Sequence, residues 1–148
     1  MKVYKIILVV FLIITAAGCS SLKLTQTDFA WPVESVLKID ANGFVSDTRF
    51  SYSVNVKPLF FEETKDSLSF SSKELRIIRD TKGYYYTTCT GFKNVYLFEV
   101  KDGAFKLYDK FKLTETGLQA PVMNQRPPYI ELIDGANKYL LNNEGLKK

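Results

Sequence analysis

Phe50-Ser51-Tyr52-Ser53-Val54-Asn55-Val56-Lys57 alternates large apolar side chains with small or polar ones along its whole length. Successive side chains of an extended chain point to opposite faces, so this period of two predicts a half-buried β-strand with Phe50, Tyr52, Val54 and Val56 inward. Pro58 has no amide hydrogen to give to a ladder, and it is expected to end the pairing or mark an edge. Residues 33–39 read as a preceding strand, closed by Asp40-Ala41-Asn42-Gly43, where Asn-Gly supplies the positive φ angles of a tight turn. On the C-terminal side, Leu59-Phe60-Phe61 and Leu68-Ser69-Phe70 are expected to extend the sheet around the polar residues 62–66.

The same logic runs to the C-terminus. Ser71-Ser72-Lys73-Glu74 has the form of a helix capping box, yet residues 75–79 are better read as a strand. Asp80-Thr81-Lys82-Gly83 turns them into Tyr84-Tyr85-Tyr86-Thr87-Thr88-Cys89, whose β-branched and aromatic content favours strand. Residues 95–100 and 104–113 flank the Lys101-Asp102-Gly103 turn, and 129–133 and 138–141 flank Asp134-Gly135. The sum is about eight strands in mostly sequential hairpins, so the expected class is all-β, a mostly antiparallel β-sandwich or a small up-and-down β-barrel. Residues 114–128, stiffened by Pro121, Pro127 and Pro128, form the longest connection without strand character.

Composition bounds the chemistry. The 148 residues hold 20 Lys and Arg against 16 Asp and Glu, with no His and two Cys. Without histidine, Ser-His-Asp and Cys-His catalysis, His-ligated zinc and a histidine pH switch are all excluded. The formal net charge is +4, and half of it lies at Lys2 and Lys5, so no nucleic-acid footprint is expected. Nothing in the motifs calls for a cofactor, a metal or an enzyme's active site.

The first residues explain where those two lysines go. Met1-Lys2-Val3-Tyr4-Lys5 is a short positive region, residues 6–14 are an unbroken apolar run, and Thr15-Ala16-Ala17-Gly18 are small residues before Cys19. This is the three-part layout of an export signal, and its apolar run is shorter than the roughly 20 residues of a bilayer span. Ala16-Ala17-Gly18-Cys19 resembles the lipobox of bacterial lipoproteins, with Ala16 where leucine is commonest. The resemblance covers the signal region alone. It implies a signal peptide at 1–18, acylation of Cys19, palmitate among the chains, a tether at 19–28 and a single all-β domain at 29–148. Ser20 after the cysteine, in place of Asp, implies no retention at the inner membrane. The expected address is the outer membrane facing the periplasm where the cell has two membranes, and the cell surface otherwise.

Several constellations remain to be weighed. Cys89 lacks a cationic neighbour in its segment and reads as a buried strand residue. In residues 104–113 alternation puts Asp109 on the face of Phe105, Leu107, Phe111 and Leu113, where it needs a neighbouring partner or a bulge. The other face gathers Lys106, Lys110 and Lys112, a solvated edge in preference to an anion-binding stripe. Adjacent Glu62 and Glu63 point oppositely in a strand and so do not share an acid/base site. Asp40 and Asp47 lack the spacing of a calcium loop. Arg126 and Tyr129, beside Pro127-Pro128, have the makings of a binding rim. Tyr85 faces away from Tyr84 and Tyr86 and is expected to extend that surface.

These readings converge on a non-enzymatic, membrane-anchored lipoprotein of the cell envelope that binds or stabilises an envelope protein through Arg126, Tyr129 and Tyr85. The alternative is a carrier of an apolar small molecule. Trp31-Pro32 resembles the Gly-x-Trp opening of lipocalins, with Phe29 in the glycine position, and that likeness implies a ligand-holding barrel. Trp31 itself is expected to close one end of the core.

Overall fold

The computed structural model describes residues 30–147; Cys19 and the signal and tether segments lie outside them. Within this range the chain forms eleven strands and one helix. In order they are β1 (Ser35–Lys38), β2 (Phe44–Asp47), β3 (Tyr52–Asn55), α1 (Lys57–Thr64), β4 (Glu74–Arg79), β5 (Tyr85–Cys89), β6 (Asn94–Lys101), β7 (Ala104–Lys112), β8 (Val122–Arg126), β9 (Tyr129–Asp134), β10 (Asn137–Asn142) and β11 (Gly145–Leu146). They make a five-stranded sheet β1-β4-β5-β6-β7, a four-stranded sheet β11-β10-β9-β8 and the β2–β3 hairpin, with every pairing antiparallel. The all-β expectation holds in its sandwich form. The sheets are not closed into a barrel, so of the two expected forms the structure takes the sandwich.

Register explains the layering. Residues paired across a ladder share a face, so Ile77, Thr87 and Tyr96 lie on one side of the five-stranded sheet and Ile78, Tyr86 and Leu97 on the other. The first side is covered by the β2–β3 hairpin and α1. Ser35 Oγ donates to Asp47 Oδ2 at 2.8 Å, and Tyr96 OH donates to Glu63 Oε1 at 2.8 Å. The second side is covered by the four-stranded sheet. There Glu34 accepts from the guanidinium of Arg76 and, at 3.0 Å, from the Met123 amide. A single bridge between Val33 and Asn124 carries the incoming chain past β8 before it joins β4 as β1. Trp31 is buried against Phe50 in a stack with centroids 3.9 Å apart and meets Tyr85 edge-on at 5.4 Å, closing one end of the core as its position implied.

Three local readings change. Leu59-Phe60-Phe61 is helix and Leu68-Ser69-Phe70 is turn, where strands were expected. Pro58 does end β3, but its fixed φ suits the first turn of a helix, and α1 starts around it. The helix buries Phe60 against Phe70 and Phe92 and leaves Phe61 outside. Residues 122–126, read as part of a long connection, are strand β8.

The remaining connection from β7 to β8 is stapled to the β5–β6 turn. The Gly91 amide donates to the Leu118 carbonyl at 2.7 Å and the Leu118 amide to the Phe92 carbonyl at 2.8 Å. Gly117 permits this approach: its φ is +94°, and a Cβ there would stand 2.7 Å from the Gly91 carbonyl oxygen. Gly117→Ala is therefore expected to cost at least about 1–3 kcal/mol, the usual toll of a strained backbone position, before the displacement of Gly91 is added. Urea unfolding checks it; an unchanged midpoint would mean the staple is dispensable.

Candidate functional site

Strand alternation sorts β8 cleanly. Met123 and Gln125 turn inward, where Gln125 Nε2 donates to the Arg79 carbonyl at 2.5 Å, and Val122, Asn124 and Arg126 turn outward. Arg126 pairs directly with Tyr129, and Asn124 with Glu131 and through it Leu140, so these residues share the outer face of the four-stranded sheet. Arg126 Nη1 donates to Glu131 Oε1 at 2.5 Å, and the ammonium of Lys147 sits 4.8 Å from the Tyr129 ring centroid. A surface ion pair of this kind is worth at most about 1 kcal/mol to stability. Its effect is to direct the guanidinium to Glu131, on the face that Tyr129 shares. Val33 and Val122, both exposed, add an apolar margin. The face offers two cations, a carboxylate, an amide and an aromatic edge, which suits recognition by hydrogen bonding and shape.

The expected trio is thus split. Arg126 and Tyr129 are neighbours on an outward face. Tyr85 is 5% exposed and is removed from the candidate surface. Its ring packs edge-on against Phe105 at 4.8 Å and under the Arg79 guanidinium at 5.6 Å. Alternation placed Tyr85 opposite Tyr86 correctly, but β5 is covered on both sides, so neither face is a platform. Glu131, Lys147 and Val33 were not foreseen. Val122-Met123-Asn124-Gln125-Arg126 does carry an alternating pattern, obscured by the prolines on either side.

The carboxylates considered for chemistry are engaged elsewhere. Glu62 meets Lys110 at 2.8 Å. Glu63 accepts from the Lys93 amide, Asn94 Nδ2 and Tyr96 OH, at 2.8, 2.6 and 2.8 Å. A register shift opposite Leu97 and Phe98 makes Tyr108 the extra residue of β7, which takes Asp109 off the face of Phe105 and Leu107 into solvent. The same bulge divides the lysines. Lys106 pairs with Asp102 at 2.9 Å, and Lys112 with Glu115 at 2.7 Å. Asp40 builds its turn by accepting from the amides of Asn42 and Phe44. Asp47, buried, receives Ser35 and a two-point contact from Arg49.

Hydrogen bonding from Arg49 holds the Asp47 carboxyl below the usual range, against the opposing effect of burial. A depressed folded pKa gives stability that is complete above the ordinary aspartate value of about 4 and is lost as pH falls through the folded value. The stability gap between wild type and Asp47→Asn should therefore be open near neutral pH and close on acidification; a pH-independent gap would assign the effect to packing. Cys89 is buried as expected, and desolvation pushes its thiol up to about 11. Alkylation should reach Cys89 in denaturant alone, and rapid labelling of the native chain would contradict this placement. No family model, curated protein or solved structure matches the chain.

Proposed function

We propose that the chain is a non-enzymatic lipoprotein of the bacterial cell envelope, held to a membrane through lipid on Cys19, whose β-domain binds or stabilises another envelope protein. The address follows from the export signal and from Ala16-Ala17-Gly18-Cys19. It is the outer membrane facing the periplasm in a cell with two membranes and the cell surface otherwise. The observation that carries the binding role is the pairing of Arg126 with Tyr129 on an outward sheet face, with Glu131 and Lys147 fixing the two groups in place.

Such a face acts by complementarity. A bidentate guanidinium and an aromatic ring with a polar tip are the groups that most often dominate protein interfaces. The engagement of Glu62, Glu63 and Asp47 with neighbouring elements supports a role without bond chemistry.

In-cell crosslinking with mass spectrometry tests the surface. Arg126→Ala with Tyr129→Ala should weaken capture of a specific envelope protein by at least about tenfold, the equivalent of 1.4 kcal/mol. An unchanged crosslinking pattern would remove this face from the binding role. The intact mass of the membrane-extracted chain tests the anchor separately, since an unmodified Cys19 would overturn it.

A further inference from the structure

Residues opposite one another in an antiparallel ladder share a face, so the outer face of the four-stranded sheet is defined rung by rung. One rung is Val122, Ile133 and Lys138. The next runs from Val33, through its bridge to Asn124, to Glu131 and Leu140, and ends at Lys147, whose amide donates to the Leu140 carbonyl at 2.8 Å. Val33, Val122, Ile133 and Leu140 thus form an aliphatic stripe that zigzags between the two rungs across the sheet. Val33 and Val122 are exposed, Ile133 and Leu140 half-buried, while Met123, Leu132 and Leu141 on the same strands fill the core side.

Charge is uneven around that stripe. Lys138 and Lys147 flank Leu140, one two residues before it on β10 and the other opposite it, and Arg126 lies on the third rung with Tyr129. The carboxylate of these rungs is Glu131, whose side chain is 13% exposed and already taken by Arg126. Lys147 meets the Tyr129 ring, and Lys138 and Lys147 form no ion pair among the described residues. Asp134 has inward parity and accepts from the amides of Gln119 and Ala120 behind the face. Exposed Glu144 lies in the β10–β11 turn; with it counted, Arg126, Lys138 and Lys147 still outnumber Glu131 and Glu144. The lysines of β7 differ, for Lys106, Lys110 and Lys112 each face a carboxylate.

We propose that this face receives an amphipathic helix of the partner envelope protein, with its apolar side on the stripe and acidic side chains against Lys138 and Lys147. The inference rests on the proposed binding role and names the chemistry of the partner. Strands β9 and β10 are paired on both sides, so an occupant meets side chains alone and has to satisfy its own backbone, as a helix does. From Val33 across β8, β9 and β10 to Lys147 there are four strand spacings, about 19 Å, which a helix covers in about three and a half turns. A second copy of the chain fits poorly, because a two-fold contact sets the same positive excess against itself.

A photoreactive residue in place of Leu140, in the full-length chain in its own cells, reports what covers the stripe, and mass spectrometry maps the adduct. The expected adduct is a segment of an envelope protein with apolar residues three and four apart and Asp or Glu beside them. Lys138→Glu with Lys147→Glu should cut its yield at least about tenfold, equivalent to 1.4 kcal/mol, and Lys138→Gln with Lys147→Gln by less. Exchanging the mapped carboxylates for lysine should restore the yield of the glutamate variant, which also shows that this variant is folded. An adduct to an envelope protein that survives the charge reversal, or that maps to a segment without acidic residues, overturns the acidic helix and leaves the binding role standing. Loss without rescue in a chain of unchanged urea midpoint overturns it as well, as does an adduct to lipid or to a second copy. No adduct from position 140, with unchanged crosslinking of Arg126→Ala plus Tyr129→Ala, overturns this inference and the binding role together.

Discussion

The architecture follows from the burial of β5 on both faces. Tyr85, Tyr86, Thr87, Thr88 and Cys89 are all withdrawn from solvent, including two tyrosines pointing in opposite directions. A strand buried at every position needs a layer above and a layer below. The β2–β3 hairpin with α1 supplies one, and the four-stranded sheet supplies the other. Aromatic side chains then fill the space between layers without a disulfide among the described residues: Phe60, Phe92 and Tyr96 on the helix side, and Trp31, Tyr85 and Phe105 at the end that Trp31 closes.

Polar groups between layers fix how those layers sit. Glu34 spans Arg76 on β4 and the Met123 amide on β8, and Glu63 ties α1 to β6. Burial raises the Glu34 pKa, with the Met123 and Arg76 contacts pulling the other way. Half-buried contacts of this kind add little net stability, since desolvation offsets their attraction. They act as registration points, selecting one alignment of the layers over neighbouring ones that would bury the same apolar area.

This division of work explains what was legible in the sequence. The alternation of β3 and the hairpins β4–β5, β6–β7 and β9–β10 are local signals, and they locate correctly because turn residues and periodicity coincide there. Residues 59–61 were read as strand because a short apolar run carries no period of its own, and their helical form depends on the packing of α1 over Tyr96. Strand β8 was hidden because its prolines sit just outside it, at Pro121 and Pro127. At the candidate site, residue type pointed to Arg126 and Tyr129, but their juxtaposition is a property of register. Tyr85 was misassigned because alternation reports which side a residue faces and not whether that side is wet.

The open surfaces differ in what they allow. Among the described residues β7 is a nine-residue edge strand with Leu107 and Tyr108 exposed, the kind of edge that invites strand addition. It is guarded by the bulge at Tyr108 and by lysines already committed to carboxylates at Asp102, Glu62 and Glu115. An incoming strand would have to break those pairs and follow a kinked ladder. The β8 edge is partly occupied by Val33, and β11 offers two residues. In the proposed binding role, recognition falls to a face and not to these edges. A sheet face presents alternate side chains and no unpaired backbone, so whatever binds the outer face of β8 to β11 reads the register of Arg126, Tyr129 and Glu131 instead of extending a ladder. In the proposed role, that mode would favour a particular partner over the indiscriminate strand pairing that free edges permit.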